Sequence, residues 1–151
     1  MIRLDKVKAT AHLVNFTFAA SDLANGSIVE LGDLQADGET YAGVAPTAVT
    51  NKGLVIHASV PMDYENASLE VDYVLPKGKE GRGYVPEKGD IITITNDLVE
   101  GTTAPKKGDI LEPTADKTTW SINATPTGSI QARFLAAEKI GGEAATVLEI
   151  L

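Results

Sequence analysis

Two histidines, one tight group of carboxylates and a few serines are the side chains of this sequence with types and spacing that could do chemistry. His12 and His57 stand among apolar neighbours, with no ligating residue at a metal-site spacing, so the sequence predicts packed histidines and no metal centre. Asp63, Glu65, Glu70 and Asp72 bring four carboxylates together. Clustered oxygens of this kind serve calcium binding or the acid and base of a glycosidase, yet the spacing fits neither a calcium loop nor a defensible carboxylate pair. A solvated loop is the expectation there. No serine occupies a Gly-x-Ser-x-Gly elbow, and neither a phosphate-binding glycine loop nor a dinucleotide fingerprint occurs. Asn66-Ala67-Ser68 and Asn123-Ala124-Thr125 match the glycosylation sequon, but no export signal gives the match meaning. Trp120 and Tyr41, Tyr64, Tyr73 and Tyr84 are scattered, and are expected to anchor a core or an interface rather than to stack on sugars. The expectation is no catalytic residue, no cofactor and no metal: not an enzyme.

The elements that would position these residues read as strands. The fourteen glycines and seven prolines punctuate short runs rich in Val, Ile, Thr and Tyr, the rhythm of a β-sandwich or barrel. Asn25-Gly26 is the clearest hairpin signal and would join Asn15 to Leu23 with Ser27 to Leu31. Asp37-Gly38 leads into Thr40 to Val44. Leu54 to Val60 is nearly continuous in apolar and β-branched residues and predicts a buried strand stopped by Pro61. A similar six-residue segment occurs twice: Glu87-Lys88-Gly89-Asp90-Ile91-Ile92 and, nineteen residues on, Lys106-Lys107-Gly108-Asp109-Ile110-Leu111. Each copy sets a Lys-Gly-Asp turn before a strand. Ile130 to Ala136 alternates, and Gly141-Gly142 turns the chain into Thr146 to Leu151, which predicts a terminal hairpin; a helix over Ser129 to Lys139 is the competing expectation. Residues 61 to 83 read as a long loop excursion, with Pro76 to Gly83 as its mobile tip and Gly81-Arg82-Gly83 as a flexible turn.

Size and charge narrow the function classes. A chain of 151 residues suits one β-rich domain, here residues 15 to 151, preceded by residues 1 to 14 as a flexible arm or edge strand. A formal charge of −8 and a pI near 4.7 argue against a sequence-independent grip on nucleic acid, which needs a clustered basic surface. No apolar run approaches the length that crosses a bilayer, and no secretory signal is visible, so assembly in a cytoplasm is expected. Cysteine is absent, which excludes disulfides and thiolate metal sites.

The order of motifs carries a resemblance. Asp22 to Gly32, Gly53 to Ala58, Gly81-Arg82-Gly83-Tyr84 with Glu87 to Ile91, Gly108 to Leu111, and the stretch from Gly128 through Phe134 to Glu149 together resemble small head proteins of tailed bacteriophages, especially those of Gram-positive hosts. The resemblance implies a capsid decoration, or cement, protein. Such a protein binds the outside of the expanded head, commonly as a trimer at three-fold positions, and clamps neighbouring copies of the major capsid protein. It implies no catalytic or cofactor residues. Arg3, Lys6 and Lys8, basic residues in an acidic chain, are the candidate capsid or subunit contacts. Two alternatives stand beside it. A carbohydrate-binding or tail-associated module would expose Trp120 and a tyrosine on one face, and a hydrolase would pair two carboxylates from residues 63 to 72.

Overall fold

The structure is a computed structural model, and it describes residues 1–6, 13–60 and 70–151; within these, the side chains of residues 4–6 and 70 are not described. Thirteen strands form in the described chain: β1 (Ile2–Lys6), β2 (Leu13–Phe18), β3 (Leu23–Ala24), β4 (Ile28–Leu34), β5 (Thr40–Val44), β6 (Leu54–His57), β7 (Val74–Leu75), β8 (Glu80–Tyr84), β9 (Ile91–Thr95), β10 (Ile110–Pro113), β11 (Trp120–Ile122), β12 (Ala132–Ile140) and β13 (Glu143–Ile150). The fold is mainly β, as the punctuation of the sequence predicts. It has two principal parts: a closed five-stranded barrel in the order β2-β5-β4-β6-β8, and a six-stranded antiparallel sheet in the order β1-β9-β13-β12-β10-β11.

Strand β6 explains how the parts meet. Leu54 and Ile56 face the sheet and join Ile28, Ile92, Ile94, Leu111, Trp120 and Leu148 in one apolar cluster. Val55, the residue between them, faces the barrel interior with Phe16, Phe18, Leu23, Val29 and Leu75. All four residues of β6 are buried, which accounts for the unbroken apolar run. Trp120 is wholly buried in the joint, and its indole N–H donates to the Gly26 carbonyl at 3.0 Å.

Three local expectations are corrected. Asn25-Gly26 makes a turn but no hairpin: β3 pairs with β7, while β4 pairs with β5 and β6. The turn is committed elsewhere, because Gly26 N–H donates to the His57 carbonyl at 2.7 Å and the Asn25 amide clasps the Ser59 backbone. Gly81-Arg82-Gly83 is not a flexible turn but the middle of β8, which pairs with both β2 and β6 and so closes the barrel. Its glycines make room: a Cβ on Gly81 would stand 2.5 Å from Leu75 Cδ2 and 3.3 Å from Phe16 Cζ, and one on Gly83 would stand 2.7 Å from Val55 Cγ2. The excursion is therefore shorter than 61 to 83. A 3-10 turn (Glu70–Asp72), β7 and β8 are ordered elements within it, and residues 61–69 lie outside the described residues.

Two expected strands are shorter: the run from Leu54 to Val60 is strand only as far as His57, with Val60 exposed, and the stretch from Asn15 to Leu23 breaks after Phe18, so β2 and β3 are separate; the remaining turn and strand expectations correspond to elements. Asp37 Oδ1 accepts from the Glu39 and Thr40 amides at 2.9 Å and starts β5. The segment open between helix and strand is a strand: β12 and β13 form the terminal hairpin about Gly141-Gly142. Ile2–Lys6 pairs along β9 as the outer strand of the sheet, and residues 7–12 lie outside the described residues.

Candidate functional site

Several of the acidic residues that give the chain its charge are employed one at a time to close loops. Glu30 accepts from the Thr47 amide at 2.7 Å, the Thr47 hydroxyl at 3.0 Å and the Asn51 amide at 2.8 Å. Desolvation pushes its pKa up, but these hydrogen bonds outweigh it and leave the carboxyl below its ordinary value. Glu112, buried, accepts from the Thr127 and Gly128 amides at 2.8 and 2.6 Å and from Asn123 Nδ2. That bond occupies the sequon asparagine Asn123, whose Oδ1 also caps the Thr125 amide at 3.0 Å. Among the described residues no group of three or more His, Asp or Glu could hold a metal ion. Of the four carboxylates singled out between 63 and 72, Asp72 is exposed and Glu70 lies on the same 3-10 turn; Asp63 and Glu65 lie outside the described residues.

Among the described residues, Trp120 and the tyrosines do not assemble into a sugar platform. Trp120 and Tyr84 are buried, Tyr41 and Tyr73 are half-buried, and Tyr64 is outside the described residues. The Trp120 face that a carbohydrate module would expose is instead the joint between barrel and sheet.

Of the candidate contact residues, Arg3 and Lys6 lie on β1, the outer strand at one side of the sheet. Arg3 is exposed and pairs with Glu138 of β12 at 2.6 Å, across the intervening β9 and β13. Lys6 ends β1, and Lys8 lies outside the described residues. Glu138 belongs to a surface that the sequence did not single out. Strand β10 pairs with β12 only at Ile110↔Arg133 and Leu111↔Ala132, so beyond that point the outer edge of β12 has no partner strand among the described residues. The register slips between Phe134 and Ala136, and Leu135, which takes no cross-strand partner, is 42% exposed. Ala136, Ala137, Glu138 and Lys139 follow it, all exposed. The length of the alternating stretch relative to the four-residue strand β10 was the available signal, but pairing partners cannot be read from one strand's pattern.

The second constellation centres on the one histidine that is described. His57 is fully buried in the barrel, its ring edge-on to Phe16 at a centroid distance of 5.6 Å. Nδ1 lies 2.9 Å from the Ala24 carbonyl and Nε2 lies 2.8 Å from Ser59 Oγ. A carbonyl oxygen only accepts, so Nδ1 carries the proton and Nε2 accepts from the Ser59 hydroxyl. Burial pushes the imidazole pKa down, the Ala24 bond opposes this, and the terminal ammonium adds a further downward push, leaving it at about 4. Ser59 Oγ also accepts from the Arg82 amide at 2.9 Å. Asn25 fixes the Ser59 backbone from both sides, donating to its carbonyl at 2.8 Å and accepting from its amide at 2.9 Å. The packed histidine foreseen from its apolar neighbours is thus also a hydrogen-bonded one. The His57-Ala58-Ser59 spacing was the signal for the pair, since residues two apart on an extended segment face the same way.

Comparison with protein-family models, curated proteins and solved structures finds no match. The local chemistry must therefore carry the functional reading. No helix among the described residues is long and apolar enough to cross a membrane.

Proposed function

We propose that this chain is a capsid decoration protein of a tailed phage, binding as a homotrimer to the outside of the expanded head and bracing contacts between copies of the major capsid protein. The observation that carries the reading is the outer edge of β12, which past β10 has no partner strand among the described residues. An unpaired strand edge presents backbone donors and acceptors that another chain can complete, and exposed Leu135, Ala136 and Ala137 add apolar area beside it. The bulge at Leu135 and the charged pair Glu138 and Lys139 are the features by which natural sheets keep such an edge from pairing indiscriminately. Loops closed by carboxylates give a rigid body behind that edge, so little ordering entropy opposes binding. A trimer would engage several coat subunits at once and multiply weak contacts through effective concentration. On this reading the chain works on the virion exterior after assembly in the host cytoplasm.

Cryo-electron microscopy of expanded, undecorated heads of the phage that carries the gene, mixed with the purified chain, tests the proposal. Added density at three-fold positions is the expected result, and its absence at saturating protein overturns it. Leu135→Glu is expected to weaken that binding at least about tenfold while leaving the melting temperature unchanged, because Leu135 is exposed. Arg3→Ala is a cleaner test of the basic contacts than deletion of residues 1 to 10, since the deletion also removes β1 and the buried Ile2.

A further inference from the structure

Ser59 lies at the border between the sealed barrel and solvent. Behind it is His57, fully buried; in front is an open depression of about 350 Å³ lined by Ser59 together with Asn15, Tyr73, Glu80 and Arg82. The serine hydroxyl has one proton and two lone pairs. The proton is directed to His57 Nε2 at 2.8 Å and one lone pair accepts the Arg82 amide at 2.9 Å. One lone pair is left over beside the depression. The clasp by Asn25 and the bond from His57 Nδ1 to the Ala24 carbonyl hold serine, base and base tautomer in register, the arrangement by which a serine is activated in acyl-transfer chemistry, with a backbone carbonyl in the orienting place.

We propose that Ser59 is an activated nucleophile that takes a small ester, or an equivalent phosphoryl electrophile, entering this depression. Attack forms a bond from Ser59 Oγ to the carbonyl carbon, the hydroxyl proton moves to His57 Nε2, and the carbonyl π pair moves onto oxygen. Collapse expels the alcohol, which takes the proton back from Nε2, and leaves an acyl group on Ser59 for water to remove. His57 is the base, and Asn25 is a positioning residue. Asn15 and the Arg82 side chain are the polar groups available to the negative charge that develops. The charged groups around the pair are Arg82 and Glu80 of β8 in the depression and the terminal ammonium, which acts on His57. Because the imidazole stays neutral well below pH 6, the base form persists into mild acid, and its weak basicity makes the chemistry slow. The inference is independent of the adhesion role and survives its failure.

The test treats the full chain with a fluorophosphonate, which loses fluoride as Oγ bonds to phosphorus, and locates the adduct by peptide mass spectrometry. The expected result is an adduct on Ser59 that disappears in Ser59→Ala and forms at least about tenfold more slowly in His57→Asn, which keeps a donor for the Ala24 carbonyl but puts no base where Nε2 stood. No adduct on Ser59 at pH 8, or equal rates in the wild type and a folded His57→Asn, overturns the proposal. If His57→Asn does not fold, the wild-type pH profile decides. A rate level from pH 8 to about 5 and falling below supports activation by the buried imidazole, whereas a rate that drops about tenfold per pH unit throughout reflects simple hydroxide dependence and overturns it.

Discussion

The barrel, built of strands four to seven residues long, and the terminal hairpin, whose strands run nine and eight, treat their edges oppositely. The barrel has none: β8 bonds β2 on one side and β6 on the other, and every strand has two neighbours. Closure around a small circumference crowds side chains of neighbouring strands over Gly43, Gly81 and Gly83, where any Cβ would collide. The hairpin runs past β10, where one edge has no partner strand among the described residues, and turns at Gly142, where an added Cβ would touch nothing described. A closed sheet stabilises itself at the cost of tolerance, and an open one keeps bonding capacity in reserve for a partner.

Substitutions at glycine probe that contrast most strongly. Gly81→Val should cost roughly 3 kcal/mol or more, because the new methyls meet Leu75, Phe16 and His57 inside the sealed barrel. Gly142→Ala should cost only about 1 kcal/mol, from its φ of +96° alone. Urea midpoints of the two variants measure both, and equal losses would mean that the barrel can relax.

Acid should attack the barrel before the hairpin. His57 has its folded pKa depressed to about 4 from an unfolded 6.5, so in that window the unfolded chain binds more protons and stability falls as pH falls. The contribution is fully present above pH 6.5, is lost progressively toward pH 4, and amounts to about 3 kcal/mol. The carboxyls of Asp37 and Glu30, both held below their ordinary values, add losses of the same sign at lower pH. Hydrogen exchange between pH 7 and 4.5 should show β6 and β8 losing protection, and a flat stability curve over that range would refute the buried neutral imidazole.

The two Lys-Gly-Asp turns sharpen the contrast on a finer scale. Both have Gly in the left-handed region, at φ +89° and +97°, and both have the aspartate accepting the amide three residues back, at 2.8 and 2.9 Å. Asp90 is also buried and receives the hydroxyl of Tyr84, a residue of barrel strand β8, so this turn ties the barrel to the sheet. Burial, that bond and the negative charge of Asp90 and Glu87 together raise the Tyr84 pKa. Asp90→Ala should therefore cost about 2 to 3 kcal/mol and Asp109→Ala about 1 or less, read as a difference in melting temperature.

Much of this was legible in the residues. The repeated six-residue segment predicted two like turns before two strands, and β9 and β10 follow them. The unbroken run at Leu54 predicted burial on both faces. Gly81-Arg82-Gly83 misled because glycine is the residue both of mobile turns and of backbones packed too closely for a Cβ, and only the neighbours distinguish the two. Of the candidate site, Arg3 was singled out, but the edge of β12 and the His57 and Ser59 pair were not.

The sequence by itself determined the β class, most turns, the buried strand β6 and the absence of disulfides, since these follow from propensity, periodicity and composition within a few consecutive residues. Only the tertiary structure decided which strands pair, that β8 closes a barrel, that Trp120 is sealed in a joint and that β12 outruns β10 with no other partner strand on that edge among the described residues. The physical reason is that pairing and closure are contacts between residues such as Leu13 and Tyr84, or Ile2 and Ile94, far apart in the chain. A strand's alternation states which faces must be covered and leaves open what covers them.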